Sequence, residues 1–175
     1  MSKPTSVLFV CMGNICRSPT AEGVFRKQLA ERAPELEIDI DSAGTHSYHI
    51  GEPPDERSQA AARERGIDIS DLRARMVTPQ DFAHFNHVLA MDAANLEYLK
   101  GMCPPQYQSR LRLFLEYAPH VGELSVPDPY SGGADGFRRV LDLVEAASAG
   151  LIAHLRRHHA AAAVIGARRR REGGT

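Results

Sequence analysis

The chain has 175 residues, 43% hydrophobic and 25% charged. These proportions are ordinary for a soluble globular protein and sufficient for one domain with a sizeable core. Its net charge of −1 is unevenly spread: residues 151–175 hold six arginines against Glu172, leaving 15 of the 21 basic and 21 of the 22 acidic residues to the rest of the chain. That body is too acidic for a nucleic-acid binder, and Arg168–Arg171 reads as a solvated run. Cys11, Cys16 and Cys103 make no disulfide framework. An odd count without a secretory leader points to a reducing compartment, so the cytoplasm is expected. The apolar stretch Val7–Val10 is too short for a signal-peptide core or a membrane span.

Val7–Val10 is a continuous apolar run and reads as a buried parallel strand. Ser18-Pro19 is expected to open a helix, with serine as N-cap, proline at the first helical position and Glu22 in the first turn. Ala21, Val24, Phe25 and Leu29 then share one face. Leu36–Ile40 alternates and reads as a strand ending near Ser42-Ala43-Gly44, before a loop from Thr45 to Pro54. Asp55 caps a second helix through Arg65, with Gly66 as its stop. Thr78-Pro79-Gln80-Asp81 marks another N-terminus. His87–Met91 is the third strand, Asn95–Lys100 is helical, and Leu111–Leu115 is the fourth strand. Two prolines around Asp128 force a loop. A long amphipathic helix starts near Asp135 and passes Phe137, Val140, Leu141, Val144, Leu151 and Leu155, with Ala160–Ala163 as a candidate extension. Residues 1–160 are expected to form a single domain, and 161–175 an Arg-rich flexible tail.

Strands alternating with helices predict an α/β fold: a four-stranded parallel sheet with helices on both faces, doubly wound, and a ligand site beyond the carboxyl ends of the strands. Cys11, Ser42, Asp92 and the Asp128 loop would gather there. The run Cys11-Met12-Gly13-Asn14-Ile15-Cys16-Arg17-Ser18 follows the first strand directly. A turn of that length directs backbone N–H groups inward to form an anion cradle, and the next helix adds its positive end. Arg17 can grip two phosphate oxygens with its planar fork. Free cysteine titrates near ~8.5, and such surroundings lower it to roughly 3.5–7.5. A thiolate under a phosphate is the nucleophile that covalent phosphoryl transfer needs. Gly13 is expected at positive φ, and Asn14 tolerates a left-handed conformation.

The ordered set of strand, Cys, Gly, Asn, Arg, Ser, Pro and helix resembles the signature loop of the low-molecular-weight protein tyrosine phosphatases. The likeness runs from Val7 to Leu155 through Asp41-Ser42-Ala43-Gly44, Tyr48-His49-Ile50-Gly51, Gly66-Ile67, Arg73-Ala74-Arg75, Asp81-Phe82, Met91-Asp92, Asn95-Leu96 and Asp128-Pro129-Tyr130. It implies the phosphotyrosine-phosphatase I type of the fold. It also implies that Cys11 is the nucleophile, that Arg17 binds the equatorial oxygens, and that Asp128 is the acid and then the base, with no metal or other cofactor. Residues Met12 to Ser18 would bind phosphate, sulfate or vanadate. Asn14 and Ser42 would brace each other, and Ser18 would donate to the sulfur.

Ile15, Tyr48 and Tyr130 match the apolar walls that sandwich an aromatic ring, a slot too deep for phosphoserine. Threonine replaces Ile15 in related arginine phosphatases, so isoleucine argues for a phosphotyrosine protein substrate. Leu72 stands where the family usually has a histidine that braces the loop; either the loop is less rigid or another donor substitutes. Ser131 follows Tyr130 where a second aromatic is common. Cys16 reads as a packed small residue or as a redox guard of Cys11. The histidines show no metal spacing, and a monomer or weak dimer is expected. The readings that compete are a protein arginine phosphatase, an arsenate reductase, for which only Cys103 remains outside the loop, and a non-catalytic phosphotyrosine-binding module.

Overall fold

Four parallel strands, β1 (Thr5–Cys11), β2 (Ile38–Gly44), β3 (His87–Ala90) and β4 (Leu111–Leu113), stand in the order β2-β1-β3-β4 in the computed structural model, which describes residues 4–172. In chain order the elements are β1 (Thr5–Cys11), α1 (Arg17–Arg32), β2 (Ile38–Gly44), α2 (Glu56–Glu64), α3 (Pro79–His84), β3 (His87–Ala90), α4 (Ala93–Met102), β4 (Leu111–Leu113) and α5 (Ala134–Glu172). β1 is central, and its apolar residues alternate between two cores because successive side chains leave opposite faces. Val7 and Phe9 point to the layer of α1, α2 and α5; Leu8 and Val10 point to that of α3 and α4. Phe9 meets Phe25 and Phe114 edge-on, with ring centroids 5.6 and 5.0 Å away. This is the doubly wound α/β architecture that the pattern predicts.

Most expected elements appear at or near their expected bounds. Asp55 caps α2 by accepting from the Arg57 N–H, and Gly66 beyond its end has φ +75°. Three expectations need correction. Ser18 is not an N-cap: α1 begins at Arg17 behind Cys16 with no side-chain cap, because the Ser18 hydroxyl is turned to the Cys11 sulfur. β4 stops at Leu113, where Phe114–Tyr117 tightens into a 3₁₀ turn that buries Phe114 and Leu115. Finally, α5 continues to Glu172, so the backbone expected as a tail from residue 161 is helical. Arg168 is exposed. The side chains of 161–167 and 169–172 and all of 173–175 lie outside the described residues, and with them most of the reading of the Arg168–Arg171 run. No helix among the described residues is long and apolar enough to cross a membrane.

α5 descends antiparallel to the strands and places His154 against His87, at the start of β3, with ring centroids 6.0 Å apart; His158 is 4.2 Å from His154. Burial, aided by the charges of His154, His158, Arg112 and Arg110, pushes His87 down to about 4. An unfolded histidine titrates near ~6.5, so between those values the unfolded chain binds a proton that the native chain refuses. Stability is therefore fully present above about pH 6.5 and falls as pH drops toward 4, by roughly 2–3 kcal/mol from this group. Urea denaturation at pH 7 and pH 4.5 should show that loss, and His87→Gln should shrink the difference.

Candidate active site

β1 brings Cys11 to the carboxyl edge of the sheet beside Gly44 of β2, and residues 12–16 turn the chain into α1. The tight point of that turn is Asn14, at φ 56° the one non-glycine residue with positive φ among the described residues. Gly13 does not adopt positive φ, contrary to expectation. Its lack of a side chain serves space instead, since a Cβ there would stand 3.0 Å from His49 Cδ2. Gly44 is needed for a similar reason: a Cβ on it would lie 2.7 Å from the Met12 carbonyl oxygen, so β2 packs directly under the loop.

Neighbouring N–H groups hold the loop from outside. Thr45, His46 and Asp55 donate to the carbonyls of Cys11, Met12 and Ile15 at 2.9, 3.0 and 2.8 Å. A trans peptide sets its N–H opposite its C=O, so carbonyls fixed outward turn the N–H edges toward the concavity.

A buried chain of polar groups supports the sulfur. Cys11 Sγ is 3.0 Å from Ser18 Oγ. Asn14 Nδ2 donates to Ser18 Oγ at 2.7 Å and to Ser42 Oγ at 3.0 Å. Ser42 in turn donates to Glu22 Oε1 at 2.7 Å. Because Ser18 already accepts from Asn14, its own hydrogen is free for the sulfur; the competing Ala43 carbonyl is farther, at 3.5 Å. Glu22 is almost fully buried, and burial raises its pKa against the opposing bonds from Ser42 and Arg26. Leu72 packs on the core and offers no polar atom. The Arg75 backbone N–H holds Asn14 Oδ1 instead, at 3.0 Å, while the Arg75 guanidinium bridges Asp41 and Asp81 at 3.0 Å each. Asn14 Oδ1 thus has a donor with leucine at position 72.

Arg17 is 2% exposed. Its Nη1 donates to Asp92 Oδ2 at 2.6 Å and to the Val126 carbonyl at 3.0 Å, and its Nη2 stands 3.8 Å from Asp128 Oδ2. Burial opposes the guanidinium charge, but Cys11, Asp92 and Asp128 together outweigh it and raise the Arg17 pKa. Asp92 has two tasks, since its Oδ1 also accepts from Asn95 N–H at 2.7 Å and caps α4.

Above the loop lies a cavity of about 190 Å³. Cys11 and Arg17 form its floor. Ile15, Tyr48, His49 and Tyr130 wall it, and Met12, Gly13, Cys16 and Asp128 complete the lining. Asp128 is half-exposed, and its Oδ1 accepts from Tyr130 N–H at 3.1 Å. Arg57 steadies the wall, paired with Asp55 at 3.0 Å and lying 5.5 Å from the Tyr130 ring centre. Cys16 is buried, and chiefly that burial pushes its thiol up to about 12.

Every residue singled out in the sequence for the loop, its bracing or the rim therefore lies at this one cavity or directly behind it. Asp92, expected at the carboxyl ends of the strands, lies behind the cup on Arg17; Glu22, Arg75 and His49 have no site role in the sequence reading. Asp92 carries a readable signal, an Asp-x-x-Asn cap after an apolar strand; the others become visible only through long-range contacts. Among the described residues no group of three or more His, Cys, Asp or Glu is arranged to hold a metal ion.

Comparison with known proteins agrees in family and fold. The family described as "Low molecular weight phosphotyrosine protein phosphatase" matches residues 6–161. A low molecular weight protein-tyrosine-phosphatase of Streptomyces coelicolor is 43% identical over 153 residues, covering 86% of this chain and 93% of the relative. A protein tyrosine phosphatase of Entamoeba histolytica, solved with Hepes in its active site, superposes with a TM-score of 0.85 at 39% identity, covering 89% of this chain and 99% of that one. YfkJ of Bacillus subtilis superposes with a TM-score of 0.84 at 38% identity, covering 90% and 98%.

Proposed function

The chain belongs to the low molecular weight phosphotyrosine protein phosphatase family, and we propose that the cavity over Cys11 carries the family's chemistry: metal-independent hydrolysis of phosphotyrosine in protein substrates through a cysteinyl-phosphate intermediate. The observation that supports this reading is the convergence of Cys11 and Arg17 of the loop with Asp128, a residue more than 100 positions away in the chain, on one aromatic-walled cavity.

In the first step the Cys11 thiolate attacks phosphorus, the bond to the tyrosine oxygen breaks, and Asp128 gives its proton to the departing phenolate. In the second, the Asp128 carboxylate takes a proton from water. The water oxygen attacks phosphorus, the sulfur–phosphorus bond breaks, and inorganic phosphate leaves. Arg17 and the loop N–H groups stabilise the equatorial oxygens in both steps, in a geometry set before substrate arrives. Ser18, donating to the sulfur, eases departure of the thiolate in the second step. A phenolate is a moderate leaving group, so one positioned acid suffices. Ile15, Tyr48 and Tyr130 hold the ring, and Cys16 serves the loop as a packed residue. Residues 1–160 act as the phosphatase domain with 161–175 as its appendage, in a cytoplasmic protein that is a monomer or weak dimer.

The test is a panel of phosphotyrosine, phosphoserine and phosphoarginine peptides, assayed with chelator present. Phosphotyrosine should be hydrolysed at least about 10²-fold faster than phosphoserine. Preference for phosphoarginine, or arsenate reduction in place of hydrolysis, would replace the reading; tight phosphotyrosine binding without phosphate release would reduce the protein to a binding module. Asp128→Asn should lower kcat for phosphotyrosine peptides by about 10²–10³-fold, with a smaller loss on p-nitrophenyl phosphate, whose leaving group needs less protonation. Unchanged turnover would remove Asp128 from the acid role.

A further inference from the structure

Beside the cavity stands a row of rings of which only Tyr48 has a part in the phosphate chemistry. The His46 ring is stacked on Tyr48, with centroids 5.4 Å apart and planes within 6°, and Tyr98 of α4 also adjoins His46, tilted by 38° at 5.5 Å. Tyr48 is 73% and Tyr98 38% exposed. Among the described residues six large hydrophobic side chains are exposed, and Met12, Tyr48 and Tyr130 of these line the cavity. Tyr98 joins them only through His46. The exposed apolar surface of the mouth therefore continues through His46 to Tyr98 on α4.

We propose that the Tyr48–His46–Tyr98 row is a substrate-docking shelf, taking an apolar or aromatic side chain two or three residues away from the phosphotyrosine of a protein substrate. The proposal rests on the phosphotyrosine reading of the cavity. Three features point to it. The shelf is continuous with the slot, because Tyr48 is at once a cavity wall and the first ring of the row.

It is also rigid. His46 Nδ1 shares a 2.7 Å hydrogen bond with the buried Thr45 hydroxyl, and His46 N–H donates to the Met12 carbonyl of the phosphate loop. Tyr98 rides on α4, whose cap Asp92 also grips Arg17. His46 and Tyr98 are thus held by the same elements as the cup, and little of their freedom is lost when a ligand covers them.

The third feature is reach. An extended peptide advances about 3.3–3.6 Å per residue, so rings within two steps of 5.4 and 5.5 Å from the wall fall inside the reach of two to three residues. Alternation of side chains along an extended peptide turns the residue two positions away back to the same side as the phosphotyrosine.

The test uses phosphotyrosine peptides identical except at positions two and three on either side of the phosphotyrosine, carrying phenylalanine, leucine or serine. Wild-type enzyme should prefer phenylalanine or leucine to serine at one of these positions by about tenfold in kcat/KM, the gain lying in KM and not in kcat. Tyr98→Ala should erase that preference, and Tyr98→Phe should keep it. Indifference of the wild type at every position, or a preference unchanged in Tyr98→Ala, would overturn the shelf. So would a dimer that Tyr98→Ala converts to monomer with peptide preference intact, since the row would then be a self-association face. If the wild type hydrolyses neither the peptides nor p-nitrophenyl phosphate, the phosphatase reading fails and takes the shelf with it. Hydrolysis of p-nitrophenyl phosphate without peptide preference sinks the shelf alone.

Discussion

Cys11→Ser should leave the fold and the anion site intact and lower kcat by at least about 10⁴-fold. Oxygen for sulfur is a small change in volume at a side chain 2% exposed, and the new hydroxyl can still meet Ser18, so the melting temperature should shift by only a few degrees. The cradle keeps its N–H groups and Arg17, so inorganic phosphate should still bind with an affinity near that of the parent. What is lost is the nucleophile, because a serine hydroxyl beside no general base stays protonated and attacks phosphorus poorly. Among the described residues no histidine is hydrogen-bonded to Cys11 Sγ; its polar partner is Ser18. Steady-state assays on a phosphotyrosine peptide, with isothermal titration of phosphate, separate the two effects. Turnover within tenfold of the parent would mean that water is activated directly and that Cys11 is a bystander.

Arg17→Lys should be nearly as damaging to catalysis and more damaging to stability. The guanidinium satisfies two groups behind the loop, Asp92 and the Val126 carbonyl, while its other arm faces Asp128 and the cavity. A lysine ammonium cannot span both directions, because it is a point charge without a planar fork. Loss of one fixed oxyanion donor typically costs 10²–10³ in kcat, and losing a two-pronged one should cost about 10³-fold or more. Asp92 would lose its 2.6 Å partner in a half-buried setting, which costs roughly 2–3 kcal/mol and loosens the start of α4. Both kcat and the denaturation midpoint should therefore fall together. A fall in kcat alone would show that Asp92 finds another partner. The same two measurements on Asp92→Asn, which keeps the cap of α4 but removes the charge, should give a milder version of both losses.

The fold was readable because its signals are local. The apolar run at β1 and the caps at Asp55 and Thr78 each depend on a few neighbouring residues, and the paired prolines fix the Asp128 loop without reference to the rest of the chain. The nucleophile loop was readable because its residues are contiguous. Errors arose where a side chain has a distant partner that outcompetes its local preference. Ser18 has the sequence of an N-cap, yet its hydroxyl is committed to Cys11 and Asn14. Gly13 reads as a backbone hinge, yet the strain sits on Asn14, whose side chain is bonded at both ends by Ser18, Ser42 and Arg75.

The bracing behind the cup lay beyond sequence reasoning for the same reason. Glu22 looks like an ordinary first-turn acid until Ser42, 20 residues away, is seen to donate to it. Arg75 acts partly through its backbone N–H, which no side-chain pattern announces. His46 and Tyr98, 52 positions apart by number and in ring contact, belong to the same class.

The claim on which all of this depends is that phosphorus becomes bonded to the sulfur of Cys11 during turnover. The direct measurement is acid quenching of a reaction with a phosphotyrosine peptide in the millisecond range, followed by mass spectrometry of the fragment that contains Cys11, with Asp128→Asn used to slow the second step. A phosphoryl group on Cys11, appearing in step with a burst of free tyrosine peptide, is the predicted result. Phosphate released into solution with no phosphorylated enzyme at any time, or a phosphoryl group on another residue, would contradict it.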